Sequence, residues 1–105
     1  MDAQMKRGML EICVLSSLQR KDSYGYQMVK DLSACVDISE STLYPLLKRL
    51  EAAGCVTVYS LEHNGRLRKL YHLTSAGRRR IEDFLNNWQE INTIYNFIRE
   101  GYQND

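Results

Sequence analysis

Ser41-Thr42-Leu43-Tyr44-Pro45-Leu46-Leu47-Lys48-Arg49-Leu50-Glu51-Ala52-Ala53-Gly54, followed after Cys55 by Val56-Thr57-Val58-Tyr59-Ser60-Leu61, is where the period of this sequence changes from helical to alternating. Leu43, Leu46, Leu47 and Leu50 fall at i, i+3, i+4 and i+7, the spacing of one helix face. Ser39 or Ser41 supplies an N-cap oxygen, and Gly54 suits the left-handed residue that follows a helix. Pro45 is tolerated near a helix start but not deep inside, so the regular part of this helix is expected to begin close to Ser41. Beyond it, alternation resumes in Leu67-Arg68-Lys69-Leu70-Tyr71-His72-Leu73, with His63-Asn64-Gly65-Arg66 between the two β-prone runs. Asn-Gly in that setting predicts a tight hairpin.

Upstream, residues 5–20 carry Leu10, Val14 and Leu18 on one helical face and Met5, Met9 and Ile12 on another. A helix apolar on two sides has two neighbours. Arg20-Lys21-Asp22-Ser23 interrupts that pattern, and Asp22 or Ser23 is expected to cap a second helix from about Tyr24 to Ser33, with Tyr26, Val29 and Leu32 inward. Downstream, Thr74 is expected to cap a final helix over residues 75–102. The order helix, helix, helix, hairpin, long helix is mostly α in an α+β class. It predicts a winged helix-turn-helix of three helices and a two-stranded wing over residues 1–74, and a long C-terminal dimerisation helix over 75–105, together one compact domain.

A chain of 105 residues has room for one domain, and its 44% apolar and 26% charged content is that of an ordinary globular protein. No apolar run is long enough to span a bilayer, and Met1 to Arg7 leads directly into an amphipathic pattern rather than a signal-peptide core, so a cytoplasmic location without membrane contact is expected. Cys13, Cys35 and Cys55 are an odd set with no C-x-x-C spacing and no nearby His pair, which suggests neither a disulfide framework nor a metal site. Reduced thiols are expected, with a redox sensor as the other reading. Residues 1–80 hold 13 Lys/Arg against 8 Asp/Glu, a net +5, while residues 81–105 carry −4. A basic body joined to an acidic end suggests that one end meets a polyanion.

A winged helix-turn-helix sets its third helix in a major groove and its hairpin along the backbone. With the leucines inward, the opposite face of that helix is centred on Ser41, Pro45, Lys48 and Ala52, flanked by Thr42, Tyr44 and Arg49. Ser41, Thr42, Tyr44 and Lys48 are therefore candidate contacts to double-stranded DNA. Arg66, Arg68 and Lys69 cluster at and beyond the wing turn with only Glu62 opposing them, which suits phosphate contact. Arg78-Arg79-Arg80 fits a solvated helix face equally well and is not assigned to DNA. A protein-interaction module that never touches DNA is the alternative, and it leaves the basic residues unexplained. No Gly-rich phosphate loop occurs, His63 and His72 lie in or beside the wing, and no nucleophile with a base can be named. Neither catalysis nor a cofactor is expected.

In the last helix Ile81, Phe84, Trp88, Ile91, Tyr95, Ile98 and Tyr102 recur at alternating spacings of 3 and 4, a heptad seam. The preceding residues already close a small core, so a second copy of the chain is the economical cover, and a homodimer with two heads reads two half-sites of a pseudo-palindrome. Phe84 and Trp88 at such a junction either pack on each other or sandwich a flat ligand.

Several stretches together resemble the PadR-type transcriptional regulators. They are Gly8-Met9-Leu10-Glu11, Ser23-Tyr24-Gly25-Tyr26, Ile38 to Glu51 with its Thr-Leu-Tyr-Pro run, and Arg68 to Gly77 with its Leu-Thr-x-x-Gly. The resemblance covers nearly the whole chain, with Ser41 where the family often has glycine and Leu70 where it often has an aromatic residue. It implies a DNA-binding repressor. The chain looks like the short branch of the family, some members of which hold planar, often cationic, drugs between paired tryptophans of the last helices. That implies a planar aromatic effector at Trp88 and Phe84, with Asn92 and the Met5, Met9, Ile12 and Ser16 side of the first helix completing the walls.

Overall fold

The computed structural model describes residues 1–104; Asp105, the end of the expected C-terminal segment, lies outside the described residues. Its elements are α1 (Ala3–Ser17), α2 (Gly25–Leu32), α3 (Glu40–Ala52), β1 (Val56–His63), β2 (Arg66–Leu73) and α4 (Ser75–Gln103), the expected order in a mostly helical α+β fold. α1 starts at Asp2, whose carboxylate accepts from Met5 N at 2.8 Å, and stops at Ser17 rather than residue 20 because Leu18 leaves helical geometry to enter the core.

The cap of α2 differs from expectation. Neither Asp22 nor Ser23 holds it; Tyr24 is the N-cap and offers no side-chain acceptor. The backbone of Ser23 pairs with Tyr71, through Tyr71 N to Ser23 O at 2.8 Å and Ser23 N to Tyr71 O at 3.3 Å, adding a single-residue third strand to the wing. Asp22 is engaged elsewhere: the Tyr59 hydroxyl donates to its Oδ2 at 2.6 Å, and His72 Nδ1 lies 2.8 Å from its Oδ1. The inward stripe is also rotated. Gly25, Met28 and Leu32 are buried and Tyr26 is exposed, because Gly25 is where Tyr44 of α3 comes so close that a Cβ would lie 2.5 Å from its hydroxyl oxygen. Close approach at Gly25 turns that face inward.

α3 begins at Glu40 with Ser39 as N-cap, Ser39 Oγ accepting from Thr42 N at 3.3 Å and lying 2.8 Å from Ser41 Oγ. All four leucines of its expected inner face are buried. Pro45 falls in the second turn and has no N–H for the Ser41 carbonyl, so the helix carries one open backbone acceptor on its solvent side. Gly54 takes φ +78° after the helix. In the hairpin Asn64 and Gly65 have φ of +52° and +79°, the two left-handed residues of a tight reversal that sets His63 opposite Arg66 and carries the antiparallel pairing to Val56 opposite Leu73.

The core gathers Val14, Leu15 and Leu18 of α1, Met28 and Leu32 of α2, the α3 leucines, the hairpin base at Val56, Tyr71 and Leu73, and Ile81 of α4. Thr74 joins hairpin to α4, accepting from Gly77 N at 3.1 Å while its own hydroxyl donates to Gly54 O at 2.7 Å. A Cβ on Gly77 would lie 2.4 Å from Cys55 O, so α4 crosses the hairpin base at contact distance. α4 runs beside α1 as far as Ile91 and beyond that extends from the head as a rod; the molecule measures 65 × 26 × 23 Å.

Candidate nucleic-acid interface

On α3, Ser41, Thr42 and Lys48 are exposed, as their opposition to the leucine face requires. Tyr44 has a second task. Its ring lies over Gly25 and its hydroxyl donates to Glu40 Oε2 at 3.0 Å, one turn back along α3. Burial, followed by the nearby Glu40 carboxylate, pushes the Tyr44 phenol above its ordinary pKa. Tyr44 therefore packs α3 against the start of α2 while keeping one edge in solvent.

The pairing register divides the basic wing residues between faces. Lys69, Tyr71 and Leu73 alternate toward α3, and Lys69 shares a cleft of about 350 Å³ with Tyr44, Lys48, Glu51 and Tyr71. Arg68 alternates with Lys69 along the strand but reaches over the Tyr24 ring just before α2, its guanidinium 4.0 Å from the ring centroid, and lines an adjoining cleft of about 410 Å³ with Tyr44, Lys69 and Tyr71. Arg66 is exposed at the turn. Tyr44, Lys48 and Lys69 are thus brought together, Arg68 is stacked beside the start of α2, and Arg66 marks the tip. Sequence reasoning passed over Glu40 and Tyr24; the i, i+4 spacing of Glu40 and Tyr44 was the available signal for the first.

The Arg78-Arg79-Arg80 run divides three ways. Arg80 donates to Glu11 Oε2, Arg78 Nη2 donates to Gln19 O at 3.4 Å, and Arg79 is exposed. Glu11 is only 6% exposed and also accepts from Arg49 Nε of α3 at 3.1 Å. One carboxylate in α1 thereby ties α3 to α4.

A second concave surface runs between α1 and α4. Met5, Gly8, Met9, Ile12, Arg80, Asp83, Phe84, Asn87, Trp88 and Ile91 line about 380 Å³, with the Phe84 and Trp88 rings stacked at 6.0 Å between centroids and 12° between planes. Met5, Met9, Ile12, Phe84 and Trp88 therefore meet in one place. Asn92 does not line it, being about 100° further round the helix than Ile91; Asn87 is the amide on that wall. Ser16 lies too far along α1 and lines an adjoining groove with Cys13, Cys35, Ile81 and Leu85. Of the heptad residues, Ile81 is buried in the chain's own core, because Gly77 presses the first turns of α4 onto the head. Trp88, Ile91, Tyr95, Ile98 and Tyr102 are exposed in the single chain, from 44% at Trp88 to 84% at Tyr102, as are Leu85, Ile94 and Phe97.

Residues 14–83 match the transcriptional regulator PadR-like family, from the last turn of α1 through α2, α3 and the wing to the start of α4. The chain belongs to the PadR-like family of transcriptional regulators. It is 32% identical over 76 residues to the transcriptional regulator Rv3488 of Mycobacterium tuberculosis, covering 71% of each chain. The structure of a PadR-like transcription factor from Bacteroides fragilis superposes with a TM-score of 0.83 at 34% identity, over 91% of this chain and 95% of that one. Bacillus subtilis PadR, solved in complex with operator DNA, superposes with a TM-score of 0.66 at 25% identity over 72% of this chain and 46% of that one. The PadR-like family is one of regulators, not of enzymes, and the winged fold with a long C-terminal helix is the PadR fold. Among the described residues no helix is long and apolar enough to cross a membrane.

Proposed function

We propose that this chain is an operator-binding repressor that works as a homodimer, with residues 1–74 as the reading head and the last helix as the joint. The observation that carries the reading is the surface on which Tyr44 and Lys48 of α3 meet Lys69 of the wing, on a fold shared with a PadR protein solved on operator DNA. Ser41, Thr42, Tyr44 and Lys48 face base edges or adjacent phosphates from the major groove, while Arg66, Arg68 and Lys69 neutralise phosphates. Ile91, Tyr95, Ile98 and Tyr102 pack against a second copy of α4, since an apolar stripe this long in water calls for cover. The groove at Phe84 and Trp88 takes a planar aromatic effector whose binding releases the operator.

Titration of the purified protein against duplexes from its own upstream region and an unrelated duplex, each at two salt concentrations, tests the reading. Tighter binding to one upstream duplex, with a steep salt dependence on both DNAs, is expected. Absence of binding to any duplex at low salt overturns it in favour of a protein-interaction module.

A further inference from the structure

The second groove at the base of α4 holds two of the three cysteines. Cys13 comes from the body of α1, and Cys35 from the turn after α2, where its N–H donates to Leu32 O at 2.9 Å. Both line one cavity of about 470 Å³ beneath Ile81, Phe84 and Leu85, and Cys35 is near enough to influence the ionisation of the Cys13 thiol. Their surroundings differ. Cys13 is half-buried against the core and Cys35 is exposed, while Cys55 is buried at the hairpin base. Burial, then the neighbouring Cys35, raises the pKa of the Cys13 thiol.

An exposed thiol beside a shielded one is the arrangement of an attacking and a resolving cysteine. We propose that Cys13 and Cys35 form a peroxide-reactive dithiol that closes to an intramolecular disulfide between α1 and the α2–α3 turn. The Cys35 thiolate attacks one oxygen of hydrogen peroxide, the O–O bond breaks, and Cys35 sulfenic acid forms as hydroxide leaves and is protonated to water. The Cys13 sulfur then attacks the sulfenic sulfur, its proton leaving with the departing hydroxide as a second water. Two thiols and one peroxide give one disulfide and two waters, the peroxide being reduced and the sulfurs oxidised. The bond bridges α1 to the segment that leads into Ser39, the cap of α3, so oxidation acts on the placement of α3 whether or not the groove beside it takes an effector.

Intact-protein and peptide mass spectrometry after stoichiometric hydrogen peroxide tests this. The expected product has lost two hydrogens per chain, links tryptic peptides 8–20 and 31–48, leaves peptide 50–66 with its thiol free, and reverts with dithiothreitol. Cys13→Ser should stop at a Cys35 sulfenic acid that dimedone traps, and Cys35→Ser should suppress the reaction. Denatured oxidised protein should show one thiol per chain to Ellman's reagent instead of three. The count on the wild type stands even where a variant folds poorly. Retention of all three thiols, a disulfide between two chains, or one involving Cys55 overturns the proposal without touching the DNA-binding reading.

Discussion

Arg80 of α4 donates to the carboxylate of Glu11 of α1, which is buried in a face that otherwise holds only apolar side chains. Arg49 of α3 reaches the other carboxylate oxygen at 3.1 Å, so α3 and α4 share one anion. Glu11→Gln keeps the shape and removes the charge. With both guanidinium groups partly solvated, the expected loss is about 1–3 kcal/mol in urea unfolding. In a double-mutant cycle Arg49→Ala and Arg80→Ala should be non-additive; strict additivity would mean that the two arginines do not act through Glu11.

Two glycines make a graded pair. At Gly77 an added methyl meets the backbone carbonyl oxygen of Cys55 at 2.4 Å, whereas at Gly25 it meets the far end of the Tyr44 side chain at 2.5 Å. Backbone yields less readily than a ring, so Gly77→Ala should cost at least about 2–3 kcal/mol in chemical denaturation and Gly25→Ala less. Gly25→Ala should instead weaken operator binding by moving Tyr44. Equal stability losses with unchanged DNA affinity at Gly25 would contradict that division.

Arg68 and Lys48 should separate by assay. Arg68→Ala is expected to weaken specific and unrelated duplexes alike, lowering the slope of log K against log salt by about one unit. Lys48→Ala should cost about 1–3 kcal/mol on the operator and less on unrelated DNA if it reads a base. Fluorescence anisotropy at several salt concentrations measures both.

The brace between Asp22 and the wing fails at both ends of the pH scale. The hydrogen bond from Tyr59, and then His72, holds the Asp22 carboxyl below the usual carboxylate range, and the same bond to Asp22 raises the Tyr59 phenol. A depressed acid stabilises the fold fully above its unfolded pKa of about 3.9, and the contribution is lost as pH falls through the folded value. A raised phenol contributes below its unfolded pKa of about 10 and is lost as pH rises through the folded value. Asp22→Asn should flatten the acid limb of thermal stability against pH, and Tyr59→Phe the alkaline limb. Parallel curves for variant and wild type would remove the brace from the stability of the wing.

Ile91→Asp with Ile98→Asp places two charges on the exposed stripe of α4. A dimer joined there should lose several kcal/mol and sediment as monomers, with operator affinity falling as the two heads separate. For the groove, a planar aromatic cation should quench Trp88 fluorescence, and Trp88→Ala should weaken that ligand by about 1 kcal/mol or more while sedimentation stays dimeric. An unaltered affinity would leave Trp88 as packing alone.

Local chemistry made much of this structure readable. The α3 leucines repeat with the helix, Asn64-Gly65 meets the backbone demand of a two-residue turn, and Thr74 stands where orphan N–H groups need an oxygen. What escaped depends on residues distant in the chain. Ser23 looks like a cap until Tyr71, 48 positions later, claims its backbone. Glu11 looks like a surface acid because its partners are 38 and 69 residues away. Tyr26 faces solvent because α2 is set by the contact at Gly25, and within one chain the groove face of α4 passes through Asn87 and Ile91.

The length of α4 outside the head has one more consequence. Its 29 residues span about 43 Å, and only Gly77 and Ile81 are buried by the rest of the chain. A helix held along its first turns draws little packing from its own protein, and most helical stability in proteins comes from packing an apolar face. In the proposed homodimer the outer turns should then form together with the association, so that dilution would act on them as a denaturant does. Far-ultraviolet circular dichroism per residue should fall as concentration drops through the association midpoint, and the amount of protein present decides how much of α4 exists as helix.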